Sequence, residues 1–166
     1  TIRDAAGRRL PAGRRGLVHV ASAFDFIDYA CGDEAEPVIR RGNELSVGDA
    51  GRLDTRGFLH LCGRRARMIV TSGRNVYPEE IERVIETHPD VAAAAVIGLP
   101  DARRGERLVA VVASADPPPR AADLALRCRS ELAAALVPRR WRRLAPWPLT
   151  GSGKTDFAAV ARALAE

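Results

Sequence analysis

The 166-residue sequence predicts an α+β fold, with a β-rich N-terminal segment followed by a small α+β domain in which helices flank a short sheet. Up to about residue 61, short apolar runs alternate with clusters of Gly, Asp and Pro, as strands alternate with turns. From residue 67 onward, runs of period two alternate with runs of helical period. We therefore expect two domains, comprising residues 1–64 and 65–166.

Two strands are predicted in the first segment. GLVHVAS (16–22) is a short apolar run, and GFLHLCG (57–63) alternates as a half-buried strand does. DAAGRRLPAG (4–13) and GDAGRLDTRG (48–57) carry Gly, Asp and Pro where tight turns need them. This part of the chain is therefore expected to be short strands joined by turns.

The second segment opens with a predicted strand, RMIVTSG (67–73), and a predicted helix, YPEEIERVIETHP (77–89). Pro78 suits the first helical position, and the buried stripe of this helix is Ile81, Val84 and Ile85. The remaining predicted elements are strands at 91–100 and 107–114, a helix at 121–136 with Leu124, Leu132 and Leu136 inward, a strand at 139–146 and a helix at 155–166.

Composition excludes several classes of protein. No apolar run approaches the roughly 18 residues that cross a bilayer, and the first residues lack the apolar core of a secretion signal. The cysteines and histidines show neither a C-x-x-C pair nor a metal-ligand spacing, so we expect no disulfide framework, no metal site and a reducing cytoplasm. They are Cys31, Cys62, Cys128, His19, His60 and His88.

The charge balance points away from nucleic acid. Net charge is +5, but the arginines are scattered among 21 acidic residues, and aromatic residues make up 5% of the chain. Proteins that bind single strands need aromatic side chains on which bases stack, and duplex binders concentrate their basic residues on one face. We therefore expect no nucleic-acid partner.

The segment GSGKT (151–155) invites a nucleotide-binding interpretation. A P-loop needs G-x-x-x-x-G-K-[ST], and counting back from Gly153 puts its first glycine at Pro148, which also lacks a backbone N–H. The segment is therefore not a P-loop. Lys154 is nevertheless notable as the one lysine among 26 Lys and Arg residues, because it indicates a position where a guanidinium does not substitute. A turn before the last helix, with Lys154 in solvent, is the alternative.

Three stretches carry a resemblance to a known superfamily. They are DAAGRRLPAGRRGLVHVAS (4–22), GDAGRLDTRGFLHLCGRRARMIVTSGRNVYPEEIERVIETHPDVAAAAVIGLPD (48–101) and VPRRWRRLAPWPLTGSGKTD (137–156). In this order they resemble the C-terminal portion of the adenylate-forming enzymes, which include acyl-CoA synthetases, peptide-synthetase adenylation domains and luciferases. The likeness runs over nearly the whole chain and is more specific than a single glycine loop.

The resemblance implies part of an AMP-forming acid–thiol ligase. Such an enzyme joins a carboxylic acid to ATP to form an acyl-adenylate and pyrophosphate, and a thiol then displaces AMP. The expected cofactors are ATP or AMP and coenzyme A or a phosphopantetheine arm, with Mg²⁺ bound to ATP through the large domain. The expected partners are that large N-terminal AMP-binding domain of the same protein and a small carboxylic acid. This polypeptide alone is expected to be inactive.

Lys154 matches the adenylation lysine of the superfamily. An ammonium that bridges a carboxylate and an α-phosphate offsets their repulsion and stabilises the charge that builds up in the transition state. Gly151 and Gly153 are expected to give the surrounding loop flexibility and to let its backbone approach the ligand.

Three further positions match superfamily motifs, and a fourth departs from the usual pattern. Asp49 corresponds to the aspartate that holds the ribose hydroxyls of AMP, since an ionised carboxylate accepts both O–H bonds of a diol. Arg64 corresponds to an arginine that reaches the ribose and phosphate, and Gly73 to the glycine that lines the tunnel for the thiol. Ala66 stands at the hinge, where Asp or Lys is usual, and hinges need not carry charge.

Two other interpretations stay open. The acyl group could pass to the phosphopantetheine of an acidic acyl carrier protein, which the arginine-rich face of the small domain would dock. Alternatively, the chain could be a detached, non-catalytic binding or regulatory module. The joint presence of Lys154, Asp49 and Arg64 argues against the module.

Overall fold

The structure is a computed structural model that describes residues 1–23, 37–114 and 116–165. Cys31, one of the three cysteines expected to form neither a disulfide framework nor a metal site, lies outside the described residues. The chain divides into two compact units, Thr1–Met68 and Ile69–Glu166, and each is described by itself. The predicted boundary after residue 64 lies within the last residues of the first unit and stays a prediction.

The first unit is built from short antiparallel strands, as expected. Its main sheet has the order β1-β2-β5-β6, while β3 and β4 form a separate hairpin. Its buried apolar side chains include Ile2, Val18 and Cys62. The strands are β1 (Ile2–Arg3), β2 (Gly16–Val18), β3 (Ile39–Arg41), β4 (Glu44–Ser46), β5 (Asp49–Leu53) and β6 (Leu59–Arg64).

The turn predicted over residues 48–57 is shorter than expected. Residues Asp49–Leu53 form strand β5, and the turn is confined to the residues that join β5 to β6. Asp54 makes this turn, because its Oδ1 accepts hydrogen bonds from the backbone N–H groups of Arg56 and Phe58, both at 2.9 Å. An Asp side chain that binds backbone two residues ahead is typical of turns. Asp49 therefore lies in a strand and does not form the turn.

The second unit is an α+β sandwich around one sheet. Strand β10 pairs antiparallel with β9 along its length, and its other edge pairs parallel with β11 and antiparallel with β7, which is followed by β8. The elements are β7 (Ile69–Thr71), β8 (Arg74–Val76), α1 (Pro78–Glu86), β9 (Val91–Asp101), β10 (Gly105–Ser114), α2 (Ala121–Glu131), β11 (Arg140–Arg143) and α3 (Phe157–Ala165).

Alternation along β9 and β10 sends side chains to both faces of this sheet. Val96 and Ala110 join the core under α1 and α2. Ala95 and Val111 join a second cluster on the opposite face, together with Val160 of α3. Both strands are thus covered on both sides, which explains why their sequences are nearly continuous runs of small apolar residues.

Helix α1 forms as the sequence predicts. Pro78 occupies its first position, and Ile81 and Ile85 are fully buried. The helix also contributes polar contacts that the sequence did not reveal: the buried carboxylate of Glu82 accepts the backbone N–H of Val96 at 2.7 Å. Because the ladder of β9 with β10 uses only one edge of β9, this carboxylate satisfies a donor on the other edge.

Helix α2 ends earlier than predicted. Instead of reaching residue 136, it ends at Glu131, and Leu132 is extended with φ −119° and ψ 153°. Near this end the Ser130 hydroxyl donates to the backbone carbonyl of Arg127, a local bond that competes with the helical ladder. A short 3₁₀ turn, Ala134–Leu136, follows.

Strand β8 was not predicted, because its three residues carry too little pattern. No helix in the described ranges has both the length and the apolarity needed to cross a membrane.

Candidate active site

Asp49 and Arg64, both predicted to bind the nucleotide, are brought together by the pairing of β5 with β6. They are directly opposite residues in the ladder, and Arg64 Nε lies 3.3 Å from Asp49 Oδ1. About a third of the Asp49 side chain and two thirds of the Arg64 side chain remain exposed, at 35% and 65%. A carboxylate and a guanidinium side by side at an accessible position suit a ribose diol and a phosphate, respectively.

A β-bulge next to Asp49 shapes this position. The register between β5 and β6 shifts between Ala50 and Gly51. A Cβ at Gly51 would lie 2.8 Å from the carbonyl oxygen of His60, so the close approach of the two strands requires glycine there. Bulges of this kind re-aim side chains and are over-represented beside active sites.

Lys154 lies in a closed loop between β11 and α3. The loop is pinned at its base by a bridge between Leu149 and Thr155. Within it, the Lys154 carbonyl accepts the Thr150 N–H at 2.7 Å, and the Lys154 N–H donates to Thr150 Oγ1 at 3.2 Å. The side chain of Lys154 is exposed and has no partner among the described residues. The loop therefore holds the backbone of Lys154 while leaving its ammonium accessible.

The two glycines of this loop differ in what the structure requires of them. Gly153 has φ +79°, a left-handed conformation that favours glycine, and its N–H donates to the Thr150 carbonyl at 2.9 Å. Gly151 has no such backbone angle, and a Cβ there would meet no atom within 4 Å. The predicted flexibility of the loop is thus limited by the hydrogen bonds that close it, and direct contact of either glycine with a ligand stays a prediction.

Gly73 occupies the two-residue turn that joins β7 to β8. Thr71 pairs with Arg74, and both residues between them have positive φ, +50° at Ser72 and +73° at Gly73. This is the geometry of a type I′ hairpin turn, which glycine adopts at little cost and serine does not. A Cβ at Gly73 would meet no atom within 4 Å. The backbone angle therefore explains the glycine, and the role in a thiol tunnel stays a prediction.

A cationic cavity beside this turn was missed by the sequence analysis. It has a volume of about 350 Å³, and its lining includes the four arginines Arg74, Arg104, Arg107 and Arg139 and no acidic residue. The Nε of Arg107 is buried without a hydrogen-bond partner in the described part of the chain. Four guanidinium groups around one cavity suit an anionic ligand.

The cavity could not have been found from spacing alone. Its arginines come from β8, the turn between β9 and β10, strand β10 itself and the start of β11. Only the register of the sheet brings them together. The sequence signal that exists is the density of arginines around residues 103–107 and 139–143.

Ala66, the predicted hinge, lies in an exposed 3₁₀ turn, Arg65–Arg67. This turn comes directly before Met68, where the first unit ends. Short 3₁₀ segments are common connectors and often mark hinges. A hinge function for Ala66 stays a prediction.

The described residues contain no group of three or more His, Cys, Asp or Glu side chains that could hold a metal ion. His19 is buried, and burial lowers the pKa of its ring below the usual value. His60 lies 2.9 Å from Asp54 in the β5–β6 turn. Cys62 and Cys128 are buried, and burial raises the pKa of Cys128 to about 11.

Comparison with known proteins decides the family. Residues 80–154 match the AMP-binding enzyme C-terminal domain. An uncharacterized acyl–CoA ligase of Bacillus subtilis, YhfT, is 37% identical over 165 residues, which are 99% of this chain and 33% of that protein. The chain belongs to the adenylate-forming enzyme superfamily and corresponds to the C-terminal region of its members. It spans about a third of the length of the curated relatives it matches.

Relatives in this superfamily use different acceptors. Fatty acid–[acyl-carrier-protein] ligase ScoC of Streptomyces coeruleorubidus is 37% identical over 155 residues, 91% of this chain and 29% of that protein. The structure of amide bond synthetase McbA from Marinactinospora thermotolerans superimposes with a TM-score of 0.83 at 37% identity, over 97% of this chain and 33% of that one. Other solved relatives hold ATP, AMP or an acyl-adenylate. Membership in the superfamily therefore leaves the specific reaction open.

Proposed function

We propose that this chain is the mobile C-terminal part of an AMP-forming acid–thiol ligase whose acceptor is coenzyme A. The full enzyme would adenylate a small carboxylic acid with ATP, and coenzyme A would then displace AMP. The observation that carries the proposal is the presentation of Lys154, an exposed ammonium held on a closed, hydrogen-bonded loop without a partner among the described residues.

Lys154 would act in the first half-reaction. When the carboxylate attacks the α-phosphate, two anionic groups approach each other and charge accumulates on the phosphate oxygens. An ammonium placed between them stabilises that arrangement more in the transition state than in the ground state, and this difference accelerates the reaction. A partner-free side chain can move toward the substrates without first breaking an ion pair.

Asp49 and Arg64 would hold the adenylate. The Asp49 carboxylate would accept the ribose hydroxyls, and the neighbouring guanidinium would face the phosphate. The ion pair of 3.3 Å between them keeps both side chains oriented before a ligand arrives. Holding the reacting groups in place is a large part of catalysis in phosphoryl chemistry, since positioning alone removes much of the entropic barrier.

The cationic cavity favours coenzyme A over a carrier protein as the acceptor. Coenzyme A is a soluble nucleotide with several phosphates, whereas a carrier protein presents carboxylates on a convex surface. Arg74, Arg104, Arg107 and Arg139 line the cavity, and their guanidinium groups are suited to the phosphates of a nucleotide. The position of the cavity beside Ser72 and Gly73 fits a thiol arm that continues past the hairpin turn.

The carrier-loading alternative is favoured by one observation, the similarity to ScoC, whose name specifies an acyl carrier protein. A direct comparison separates the two. The full-length enzyme is supplied with acid and ATP and then with either coenzyme A or a phosphopantetheinylated carrier protein. Thioester formation at micromolar coenzyme A supports the proposal, and thioester formation on the carrier alone supports the alternative.

The adenylation role of Lys154 is tested by its replacement in the full-length enzyme. Lys154→Ala should reduce acid-dependent exchange of pyrophosphate into ATP by at least about a hundredfold, the usual loss for a transition-state contact of this kind. It should leave thioester formation from preformed acyl-adenylate nearly unchanged. Lys154→Arg, which keeps the charge and changes its shape, should recover only part of the exchange. An equal loss in both half-reactions would contradict the proposed role, and unaltered exchange would show that Lys154 is not the adenylation lysine.

A further inference from the structure

We propose that Trp147 and Thr155 are positioning residues for Lys154 and that their side-chain hydrogen bond sets the efficiency of adenylation. The inference rests on the proposed function of Lys154. The indole Nε1–H of Trp147 donates to Thr155 Oγ1 at 3.1 Å, and Thr155 is bonded directly to Lys154 in the chain. The bond therefore joins Trp147, which precedes the loop, to Thr155, which directly follows Lys154.

The backbone closes this loop without help from the two side chains. Leu149 pairs with Thr155, and the Asp156 N–H donates to the Pro148 carbonyl at 3.0 Å. Within the loop, the Thr150 N–H donates to the Lys154 carbonyl, and Thr150 Oγ1 accepts the Lys154 N–H. Since these contacts already define the loop, the indole–hydroxyl bond is an additional restraint on the strand segment that carries the lysine.

Trp147 is well placed to apply that restraint, because its ring is anchored in the core. It packs against the cluster formed by Ala95, Val111 and Val160, between the sheet and α3. On the other side of the lysine, Asp156 Oδ1 accepts the Ala159 N–H at 2.8 Å and caps α3. Lys154 is thus linked through Thr155 to a fixed aromatic ring on one side and to a capped helix on the other.

The physical consequence concerns placement and not charge. The Lys154 side chain has four methylene groups and no partner among the described residues, so its reach is set by the orientation of its backbone. Catalytic groups lose rate when they are displaced by a fraction of an ångström, even if the displacement arises elsewhere. Loss of the Trp147–Thr155 bond should therefore slow adenylation while the loop and the unit stay folded.

The test uses the full-length enzyme and two near-isosteric variants. Trp147→Phe keeps the aromatic packing and removes the N–H, and Thr155→Val keeps the shape and removes the acceptor. Each should lower kcat for pyrophosphate exchange about fivefold, the effect of one net hydrogen bond, with KM for ATP unchanged. The double variant should be no slower than either single one, because both remove the same bond. Thr155→Ser, which keeps the hydroxyl, should retain most of the wild-type activity.

The controls separate positioning from general loosening. Trp141→Phe is a matched substitution at the other tryptophan, which lies on β11 and has no indole hydrogen bond to a described residue; exchange should stay at the wild-type rate. The thiol step from preformed acyl-adenylate should be unchanged in all of these variants. Additive losses in the double variant, equal losses in both half-reactions, or full exchange activity in both single variants would overturn the inference.

Failure of the inference and failure of the proposed function give different results. If Lys154→Ala abolishes exchange while Trp147→Phe and Thr155→Val exchange normally, Lys154 is catalytic and the pair does not position it. If Lys154→Ala exchanges normally, the proposed role of Lys154 is wrong, and the pair has no catalytic lysine to position.

Discussion

The strand pair β5–β6 and the cavity beside the β7–β8 turn hold their charges in opposite ways. In the first, Asp49 faces Arg64 across the ladder, so each charge has a partner before any ligand binds. In the second, four arginines line one cavity without an acidic residue, and the Nε of Arg107 has no partner among the described residues. An ion pair orients a ligand, whereas a cluster of cations attracts an anion.

The two regions therefore differ in the charges that a bound ligand would meet. A nucleotide at Asp49 would exchange part of an existing ion pair for new hydrogen bonds to side chains that are already oriented. An anion in the arginine cavity would meet four guanidinium groups, of which Arg104 and Arg107 already interact with the Asp101 carboxylate. The Lys154 ammonium, by contrast, has no partner in the part of the chain that the structure describes.

The largest effect that distinguishes the two regions is expected at Asp49. Asp49→Ala removes the acceptor for the ribose and also leaves Arg64 without this partner, so KM for ATP should rise about ten- to a hundredfold, as for loss of charged hydrogen bonds. Steady-state pyrophosphate exchange in the full-length enzyme measures this. Asp54→Ala is the matched control in the same hairpin: it removes the turn aspartate and should lower stability without raising KM for ATP. Equal increases of KM in both variants would show that Asp49 is structural.

A smaller effect is expected in the cavity. Arg107→Ala should raise KM for coenzyme A about tenfold and leave pyrophosphate exchange unchanged, because it removes one charged contact to a phosphate. Arg83→Ala, on α1 and outside the cavity lining, serves as the matched control. Pantetheine provides a chemical control, since it carries the thiol without the nucleotide. The wild-type enzyme should strongly prefer coenzyme A to pantetheine, and an Arg107→Ala enzyme with the same preference would exclude this cavity as the phosphate site.

The contrast between the two regions also explains what the sequence could predict. Helix α1 was predictable because Ile81 and Ile85 repeat at helical spacing and Pro78 marks its start. Lys154 could be singled out because it stands alone among arginines inside a recognisable motif, and its catalytic role stays a prediction. Both signals are local in the chain.

Features that depend on tertiary pairing were not predictable. The end of α2 at Glu131 carries no Gly or Pro signal, and the predicted helix therefore continued to Leu136. The arginine cavity depends on the register of β10 with its neighbours, which no spacing in the sequence encodes. The Trp147–Thr155 bond likewise requires the loop to close before the two side chains can meet.

The ion-paired carboxylate of Glu44 is expected to make the stability of the first unit depend on pH. Glu44 Oε2 accepts bonds from Arg3 Nε and Nη2 at 2.9 and 2.7 Å, and Arg9 binds Oε1 at 3.0 Å. The hydrogen bonds from Arg3 lower the pKa of Glu44 from 4.5 to about 2. Because the folded-state pKa is lowered, the stabilisation is present above pH 4.5 and is lost as the pH falls toward 2.

Glu44→Gln should therefore lower the free energy of unfolding at neutral pH and reduce its decline across that acidic range. Urea unfolding of the wild type and the variant at several pH values measures both effects, and the two curves should converge near pH 2. Arg8→Ala, which removes an exposed pair with Asp4, is the control and should change the profile little. Parallel curves for the wild type and Glu44→Gln would show that Glu44 contributes nothing through its charge.

The smallest effect is expected at the β7–β8 turn, where backbone geometry can be separated from charge. Ser72 has φ +50°, which costs a residue with a side chain about 1 kcal/mol, and no hydrogen bond of its hydroxyl to a described residue offsets that cost. Ser72→Gly should therefore raise the free energy of unfolding by up to about 1 kcal/mol, the larger unfolded-state entropy of glycine reducing the gain. Gly73→Ala should lower it by about 1 kcal/mol through backbone angle alone, because its Cβ would meet no atom within 4 Å. If Gly73→Ala is destabilised as expected and yet forms thioester at the wild-type rate, a methyl group at this turn does not obstruct the thiol. Only a larger side chain at position 73 would then block the tunnel.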